Sequence, residues 1–182
     1  MDVLPADLCE QIDSLWSRFF RLKALVPYTE NSAVGTQTLH GPTYYAAGGL
    51  DVKFHFDAPL TAEGIADINE SGRWLNENYV LRLHAVLESH GALQYGESID
   101  EKVDGGQHVA LLKKLRNRIA HDDGRCDSTD DRCRRIAQGL QDLYGVETAS
   151  HKDRFHLPID EVLEPLTTAA KEYVNALENA GL

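Results

Sequence analysis

Apolar residues recur at three- and four-residue steps along most of this chain, a spacing typical of helices that bury one face. The first such stripe predicts a helix from Ala6 to Leu25. The second predicts a long helical stretch that starts from an N-cap at Thr61 and runs to about His90, where Gly91 stops it. Gly72 weakens this stretch and is a candidate break in it.

Three shorter helices are predicted in the second half of the chain, each with its own apolar stripe. Capping residues, glycine and proline indicate where these helices begin and end. The first runs from Gly105 or Gln107 to between His121 and Gly124. The second runs from a capping box of Ser128 and Asp131 to Gly145, and the third begins at Pro158. Five helices of this kind predict an all-α helical bundle.

The segment 28–59 lacks any helical period and is rich in glycine. Within it Leu50 to Phe56 alternates apolar and polar residues, which predicts a strand, and Thr36 to Leu39 is a candidate partner strand. We therefore expect a single helical domain over 1–182 that carries a small β-hairpin-like insertion between its first and second helices.

The distribution of charged residues along the chain indicates one candidate binding segment. The chain has 182 residues and a net charge of −11, which disfavours a uniformly basic nucleic-acid surface. Residues 113–135, however, hold eight basic and five acidic side chains, so this segment carries +3 and the rest of the chain carries −14. A polyanion site is expected in this segment.

The cysteine count and the hydropathy indicate the compartment. Three cysteines, Cys9, Cys126 and Cys133, are too few and odd in number for a secreted disulfide framework, and they are interpreted as ordinary thiols. No basic leader and no apolar run long enough to span a membrane is found. We expect a cytoplasmic protein that contacts no membrane.

The segment from Lys113 to His121 is the one that carries chemistry. On a helix, Asn117 and His121 share a face, Lys113 lies one turn earlier, and the long side chain of Arg116 reaches over that face. An imidazole that titrates near neutrality, a guanidinium that binds phosphate and an amide are the groups that metal-free phosphodiester cleavage needs. The simpler alternative is a solvated helix end whose histidine meets the helix dipole.

The six residues from Arg116 to His121 resemble the Arg-Asn-x-x-x-His form of the Arg-x4-6-His motif of the HEPN superfamily, whose members are small all-α domains of about five helices. The resemblance implies a metal-independent endoribonuclease of toxin or antiviral defence systems. His121 would be the acid or base, Arg116 the phosphate ligand and Asn117 their support. Lys113, Lys114 and Arg118 are the expected RNA contacts.

The resemblance also implies a homodimer in which two motif helices face each other, and an antitoxin or defence-system protein as a further partner. Chemistry favours the dimer, because one motif offers one histidine while cleavage needs both an acid and a base. One toxin subset resembles Arg-x4-His-x-Tyr, and Asp123 stands where its tyrosine would be. The alternative function is a non-catalytic HEPN-like module that binds nucleotide, RNA or protein.

No cofactor is expected, and no metal site, because no histidine pair has the i, i+4 spacing of a helical zinc site. On the long helix, Glu77, Asn78 and Arg82 are polar residues that are expected on a solvated face, and the alternative is that they complete a pocket.

Overall fold

The computed structural model of the chain describes residues 7–26, 29, 31–41, 52–94, 98–127, 129–147 and 154–180. Within these ranges the protein is mostly helical, and the prediction of five helices with a small β insertion is confirmed. The elements are α1 (Leu8–Ala24), a 3-10 turn (Asn31–Ala33), β1 (Thr38–His40), β2 (Lys53–His55), α2 (Ala62–Ser89), α3 (Gly106–Asp122), α4 (Asp131–Tyr144), a π-helical turn (Ile159–Leu163) and α5 (Glu164–Ala180).

The long helix α2 begins and ends as its sequence predicts. The Thr61 side chain accepts a hydrogen bond from the backbone N–H of Gly64 at 3.0 Å, which is an N-cap contact. At the other end, Gly91 has a positive φ of 78°. The break considered at Gly72 does not occur. This glycine instead leaves room for the buried Lys23, whose Nζ donates to the Gly72 carbonyl at 2.7 Å.

The insertion contains the expected hairpin. Strands β1 and β2 pair antiparallel, with Leu39 opposite Phe54. Each strand has three residues in the described ranges, so β2 is shorter than the predicted 50–56. Residues 50 and 51 of that prediction lie outside the described residues.

Helix α3 lies in the core and packs against α4 and α5. Gly105 precedes it with a φ of 72°. A Cβ atom at this position would overlap the carbonyl oxygen of Ala169 in α5. Glycine is therefore required here both for its left-handed backbone and for the close approach of α5.

The start of α4 corrects the predicted capping box. The N-cap is Asp130, whose carboxylate accepts a hydrogen bond from the backbone N–H of Arg132 at 2.8 Å. Ser128, the predicted cap, lies outside the described residues. Asp is as good a cap as Ser, so the helix can begin at Asp130, two residues after the predicted cap. The predicted stop is confirmed at Gly145, whose φ is 70°.

The last helix starts from Pro158 as predicted, but its first turn is π-helical. The backbone N–H of Leu163 donates to the Pro158 carbonyl at 3.1 Å. Pro165 follows shortly afterwards and has no N–H to give to the carbonyl four residues earlier. The π-helical turn thus lies just before a residue that cannot donate a backbone hydrogen bond.

The chain divides into two compact units. One unit comprises residues 1–15 and 76–182 and contains α3, α4 and α5, while the other comprises residues 16–75 and contains the hairpin. In the described ranges, none of the helices has the length and apolar character that a bilayer crossing needs.

Replacing Gly105 by Ala tests the packing of α3 on α5. We expect a loss of about 3 kcal/mol or more in the free energy of unfolding, because a backbone carbonyl of a buried helix cannot move aside. Gly145→Ala is the matched control, since its φ of 70° is similar but open space surrounds it. The control should lose only about 1 kcal/mol in chemical denaturation. Equal losses for the two variants would contradict this packing.

Candidate functional site

Helix α3 presents the candidate site because one of its faces is fully used by the core. Its buried residues are Gly106, Val109, Ala110, Leu111, Leu112, Leu115 and Ile119. On another face, Lys114, Asn117 and His121 are exposed at three- and four-residue steps. We call these three side chains the polar stripe of α3. The helix therefore holds the predicted catalytic residues Asn117 and His121 on a surface that solvent reaches.

Arg116 flanks this stripe and is tied to it. Its Nη1 donates a hydrogen bond to Oδ1 of Asn117 at 2.9 Å. Sequence reasoning assigned the Asn117 amide to the support of both motif residues, and the structure shows the contact to the guanidinium. The hydrogen bond ties the Arg116 side chain to Asn117, which belongs to the same polar stripe as His121.

The chain turns sharply just after His121. Asp123 and Gly124 have consecutive positive φ angles of 53° and 65°. Arg154 holds the turn, because its Nη1 donates to the Asp123 carbonyl at 2.7 Å and its Nη2 lies 3.1 Å from the Asp123 carboxylate. Sequence reasoning missed Arg154, because nothing in its local sequence links it to a loop 31 residues away.

Glu77 of α2 also contacts this turn. A Cβ atom at Gly124 would lie 2.5 Å from Oε1 of Glu77, so the Glu77 side chain lies close to the turn, and the φ of 65° favours glycine there. Glu77 itself is 3% exposed, which corrects its expected place on a solvated face. The loop that follows His121 is thus packed against α2.

Arg118 has a structural role that differs from the predicted RNA contact. Its guanidinium makes ion pairs with Asp122 at 3.1 Å and with Asp130 at 2.9 Å, and its Nε donates to the Arg125 carbonyl at 2.6 Å. Only 17% of the side chain is exposed. Because Asp130 also caps α4, Arg118 joins the end of α3 to the start of the next helix, and its charge is neutralised there.

His84 of α2 lies behind the site, and sequence reasoning did not select it. It is 4% exposed, and its Nδ1 has no hydrogen-bond partner among the described residues. The nearest carboxylate oxygen, on Glu88, is 3.8 Å away. The available signal was its place beside Leu83 and Leu87 in a buried stripe. Such a stripe predicts burial but gives no information about a neighbour on another helix.

Burial is the main cause that lowers the pKa of His84. The positive charges of Arg116 and Lys113 on α3 lower it further, while Glu88 raises it. The imidazole is therefore neutral at physiological pH. Lys113 and Arg116, whose charges act on His84, are half-buried, whereas Lys114 is exposed to solvent.

The described part of the chain contains no cluster of three or more His, Cys, Asp or Glu side chains arranged to hold a metal ion. The groups of the site that can act on a ligand are thus a guanidinium, an amide, an imidazole and lysine ammonium groups.

The buried His84 should make stability fall in mild acid. Its ordinary pKa is 6.5 and its folded pKa is lower, so between these values the unfolded chain binds a proton that the folded chain does not. The free energy of unfolding should therefore decrease as the pH falls below about 6.5. His84→Gln should show a smaller decrease between about pH 7 and pH 5 in urea titrations. An unchanged pH dependence in this variant would contradict the burial of a neutral imidazole.

Arg118→Ala should destabilise the protein by about 1–2 kcal/mol, because it leaves Asp130 and the Arg125 carbonyl without their partner. Arg134→Ala is the matched control. Arg134 also pairs with an aspartate, Asp131, but it is 64% exposed, and such surface pairs contribute less than about 1 kcal/mol. Chemical denaturation of the two variants measures the difference, and a larger loss in the control would contradict the role given to Arg118.

Comparison with known proteins finds no match, so the proposal for function depends on the residues of the site and their geometry. No protein-family model matches the chain, and neither a curated protein nor a solved structure matches it. The HEPN resemblance of the segment from Arg116 to His121 stays a prediction.

Proposed function

We propose that the protein is a metal-independent endoribonuclease of HEPN type that acts as a homodimer. One observation carries this proposal: His121 and Asn117 are exposed on one face of a helix whose other face is buried, and Asn117 holds the guanidinium of Arg116 at 2.9 Å. A rigid helix thus presents a proton-transfer group and a phosphate ligand to solvent together.

The residues have separate roles in the proposed reaction. The 2′-hydroxyl of the RNA attacks the adjacent phosphate, and the 5′-oxygen of the next nucleotide leaves. His121 transfers a proton in this step. Arg116 stabilises the charge that develops on the phosphoryl oxygens, and Asn117 keeps the guanidinium in place. The products carry a 2′,3′-cyclic phosphate and a 5′-hydroxyl.

A second copy of the chain completes the acid–base pair. Proton removal from the 2′-hydroxyl and proton donation to the leaving oxygen need two groups, and each protomer's motif supplies one histidine. A two-fold axis beside α3 would bring two copies of His121 to one phosphate.

The charge around α3 supports binding of a polyanion. Arg118 and Arg154 are neutralised by aspartates, but Lys114 and four arginines of the 113–135 segment are exposed. These arginines are Arg125, Arg132, Arg134 and Arg135, of which Arg134 pairs with Asp131. Lys114 lies within α3 and the arginines follow it in sequence, and together they provide positive charge to RNA in an otherwise acidic chain. The HEPN resemblance supports a role in a toxin or antiviral defence system, with an antitoxin or defence-system protein as partner.

The acidity of the chain favours a second candidate, a non-catalytic HEPN-like module. Its net charge of −11 repels RNA away from this segment. In that case the same residues would bind a nucleotide, RNA or a protein without cleaving anything.

Replacing His121 by Ala should lower RNA cleavage by about 10²- to 10⁴-fold, because it removes the proton-transfer group. RNA binding, measured by fluorescence anisotropy, should persist. Gln107→Ala, an exposed change on the same helix, should leave cleavage unchanged. All assays contain a chelator in excess. Cleavage that survives in His121→Ala, or that the chelator abolishes, would contradict the proposal and favour the binding module.

Arg116→Lys should impair both binding and cleavage, because it keeps the charge but loses the planar fork that phosphate recognises. Asn117→Ala should have a smaller effect, since it removes only the hydrogen bond that holds the guanidinium. Cleavage rates and RNA affinities of the two variants separate these roles. A larger defect for Asn117→Ala than for Arg116→Lys would contradict the assignment.

The composite site predicts a homodimer in solution by light scattering. It also predicts that adding excess His121→Ala protein lowers the activity of the unmodified protein once subunits exchange, because a mixed dimer has one imidazole. Excess Gln107→Ala should not lower it. A monomer at all concentrations, or activity that excess His121→Ala leaves untouched after exchange, would contradict a site shared between two chains.

A further inference from the structure

His121 lies one residue before the end of α3, where a helix is least rigid. The helix ends at Asp122, and the last turn of any helix frays readily because no further helical residues hold it. A group that transfers a proton must stay within about 0.5 Å of its working position. The site therefore needs contacts from outside α3 that fix this end of the helix.

A tight turn follows the helix. The backbone N–H of Arg125 donates to the Asp122 carbonyl at 2.9 Å, across Asp123 and Gly124. Asp123 has a φ of 53° and a ψ of 37°, and Gly124 has a φ of 65°. Two consecutive left-handed residues are typical of a type I′ turn, in which an Asp-Gly pair is favoured. The chain thus turns back immediately after the last helical residue.

Asp123 carries two free-energy costs at this position. A left-handed backbone costs a non-glycine residue about 1–2 kcal/mol, although aspartate tolerates it better than most. Its carboxylate also lies at the C-terminus of α3, which is the negative end of the helix dipole. Relief of either cost would change the backbone of Asp123 and unwind the last turn of α3. Another contact has to offset both costs.

Arg154 makes contacts that offset the two costs. Its Nη1 donates to the Asp123 carbonyl at 2.7 Å and holds the backbone, while its Nη2 lies 3.1 Å from the carboxylate and neutralises the charge. The Arg154 side chain is only 21% exposed. The backbone of Arg154 also pairs with Arg125 in an isolated antiparallel bridge. Backbone and side chain of one residue thus hold the same turn.

We propose that Arg154 is a positioning residue for His121: its contacts with the turn keep the last turn of α3 wound, so the imidazole stays on the polar stripe beside Asn117. This inference rests on the proposed ribonuclease function and adds a residue from a distant part of the chain to that site. In this role Arg154 touches neither the RNA nor the reacting atoms.

The occupied guanidinium separates Arg154 from a phosphate ligand. Asp123 supplies it with both a carboxylate and a carbonyl, whereas Arg116 donates to the neutral amide of Asn117. The two roles differ in kinetics. Loss of a phosphate contact that is made equally in the ground state raises KM, whereas loss of positioning lowers kcat.

The first test measures steady-state cleavage of an oligoribonucleotide by the full chain, with a chelator in excess. Arg154→Ala should lower kcat by about tenfold to a hundredfold with little change in KM, because a misplaced imidazole slows the reaction without weakening RNA binding. Lys171→Ala is the matched control. Lys171 pairs with Asp13 at 2.7 Å elsewhere in the same compact unit, so its loss should leave both constants unchanged.

A second substitution separates positioning from other roles of Arg154. Glycine adopts a left-handed backbone without strain and has no carboxylate, so Asp123→Gly removes both costs that Arg154 offsets. Arg154→Ala combined with Asp123→Gly should therefore recover most of the lost kcat. An unchanged kcat in Arg154→Ala, a defect in KM alone, or a double variant no more active than Arg154→Ala would overturn the proposal.

Hydrogen exchange tests the turn without RNA. Arg154→Ala should speed exchange of the Arg125 amide, which closes the turn, by about tenfold, and Lys171→Ala should not. Unchanged exchange in Arg154→Ala would overturn the proposal. If the unmodified protein cleaves no RNA, the proposed function fails, while faster exchange in Arg154→Ala still supports the part of the proposal in which this residue holds the end of α3.

Discussion

The burial of one face of α3 against α5 is the constraint on which the candidate site depends. Gly105 lets the start of α3 approach the Ala169 carbonyl, and the apolar residues from Val109 to Ile119 fill the core. A helix that is anchored in this way cannot rotate, because rotation would expose apolar area at about 25 cal/mol per Å². The position of the polar stripe on the solvent side is therefore a consequence of core packing.

Charge pairing then separates structural arginines from those that can meet a ligand. Arg118 and Arg154 each bind an aspartate and a backbone carbonyl, so they hold the loop after His121 in place. Arg116 donates to the neutral amide of Asn117 instead, and its positive charge is, after burial, the next cause that lowers the pKa of His84. Because the described partner of Arg116 is neutral, no ion pair has to break before the guanidinium binds a phosphate, and the free-energy cost of binding is small.

The helices could be predicted from the sequence because their apolar spacing and end signals agree with each other. Thr61, Gly91 and Gly145 act where their residue types are expected to act. The π-helical turn was not predicted, because the sequence signal at Pro158 marks where a helix starts but not which hydrogen-bond pattern its first turn adopts. Asp130 was missed as a cap because several residues before α4 have equal capping tendency.

Only the part of the site that depends on local helix geometry could be predicted from the sequence. Asn117 and His121 lie on one exposed face because i, i+4 spacing is a local property of any helix. The roles of Arg118, Arg154 and His84 depend on contacts between distant segments. Local spacing contains no information about those contacts. Sequence reasoning therefore predicted Arg118 as an RNA contact and did not select Arg154 or His84.

The proposed activity of this face of α3 is RNA cleavage through the 2′-hydroxyl, and the chemistry of the product ends distinguishes it from other cleavage reactions. Incubation with an oligoribonucleotide, with its 2′-O-methylated copy and with DNA of the same sequence, followed by mass spectrometry, identifies those ends. We expect 2′,3′-cyclic phosphate and 5′-hydroxyl products from the unmodified RNA and no cleavage of the other two substrates. Cleavage of the methylated strand or of DNA, or products with a 5′-phosphate, would contradict it.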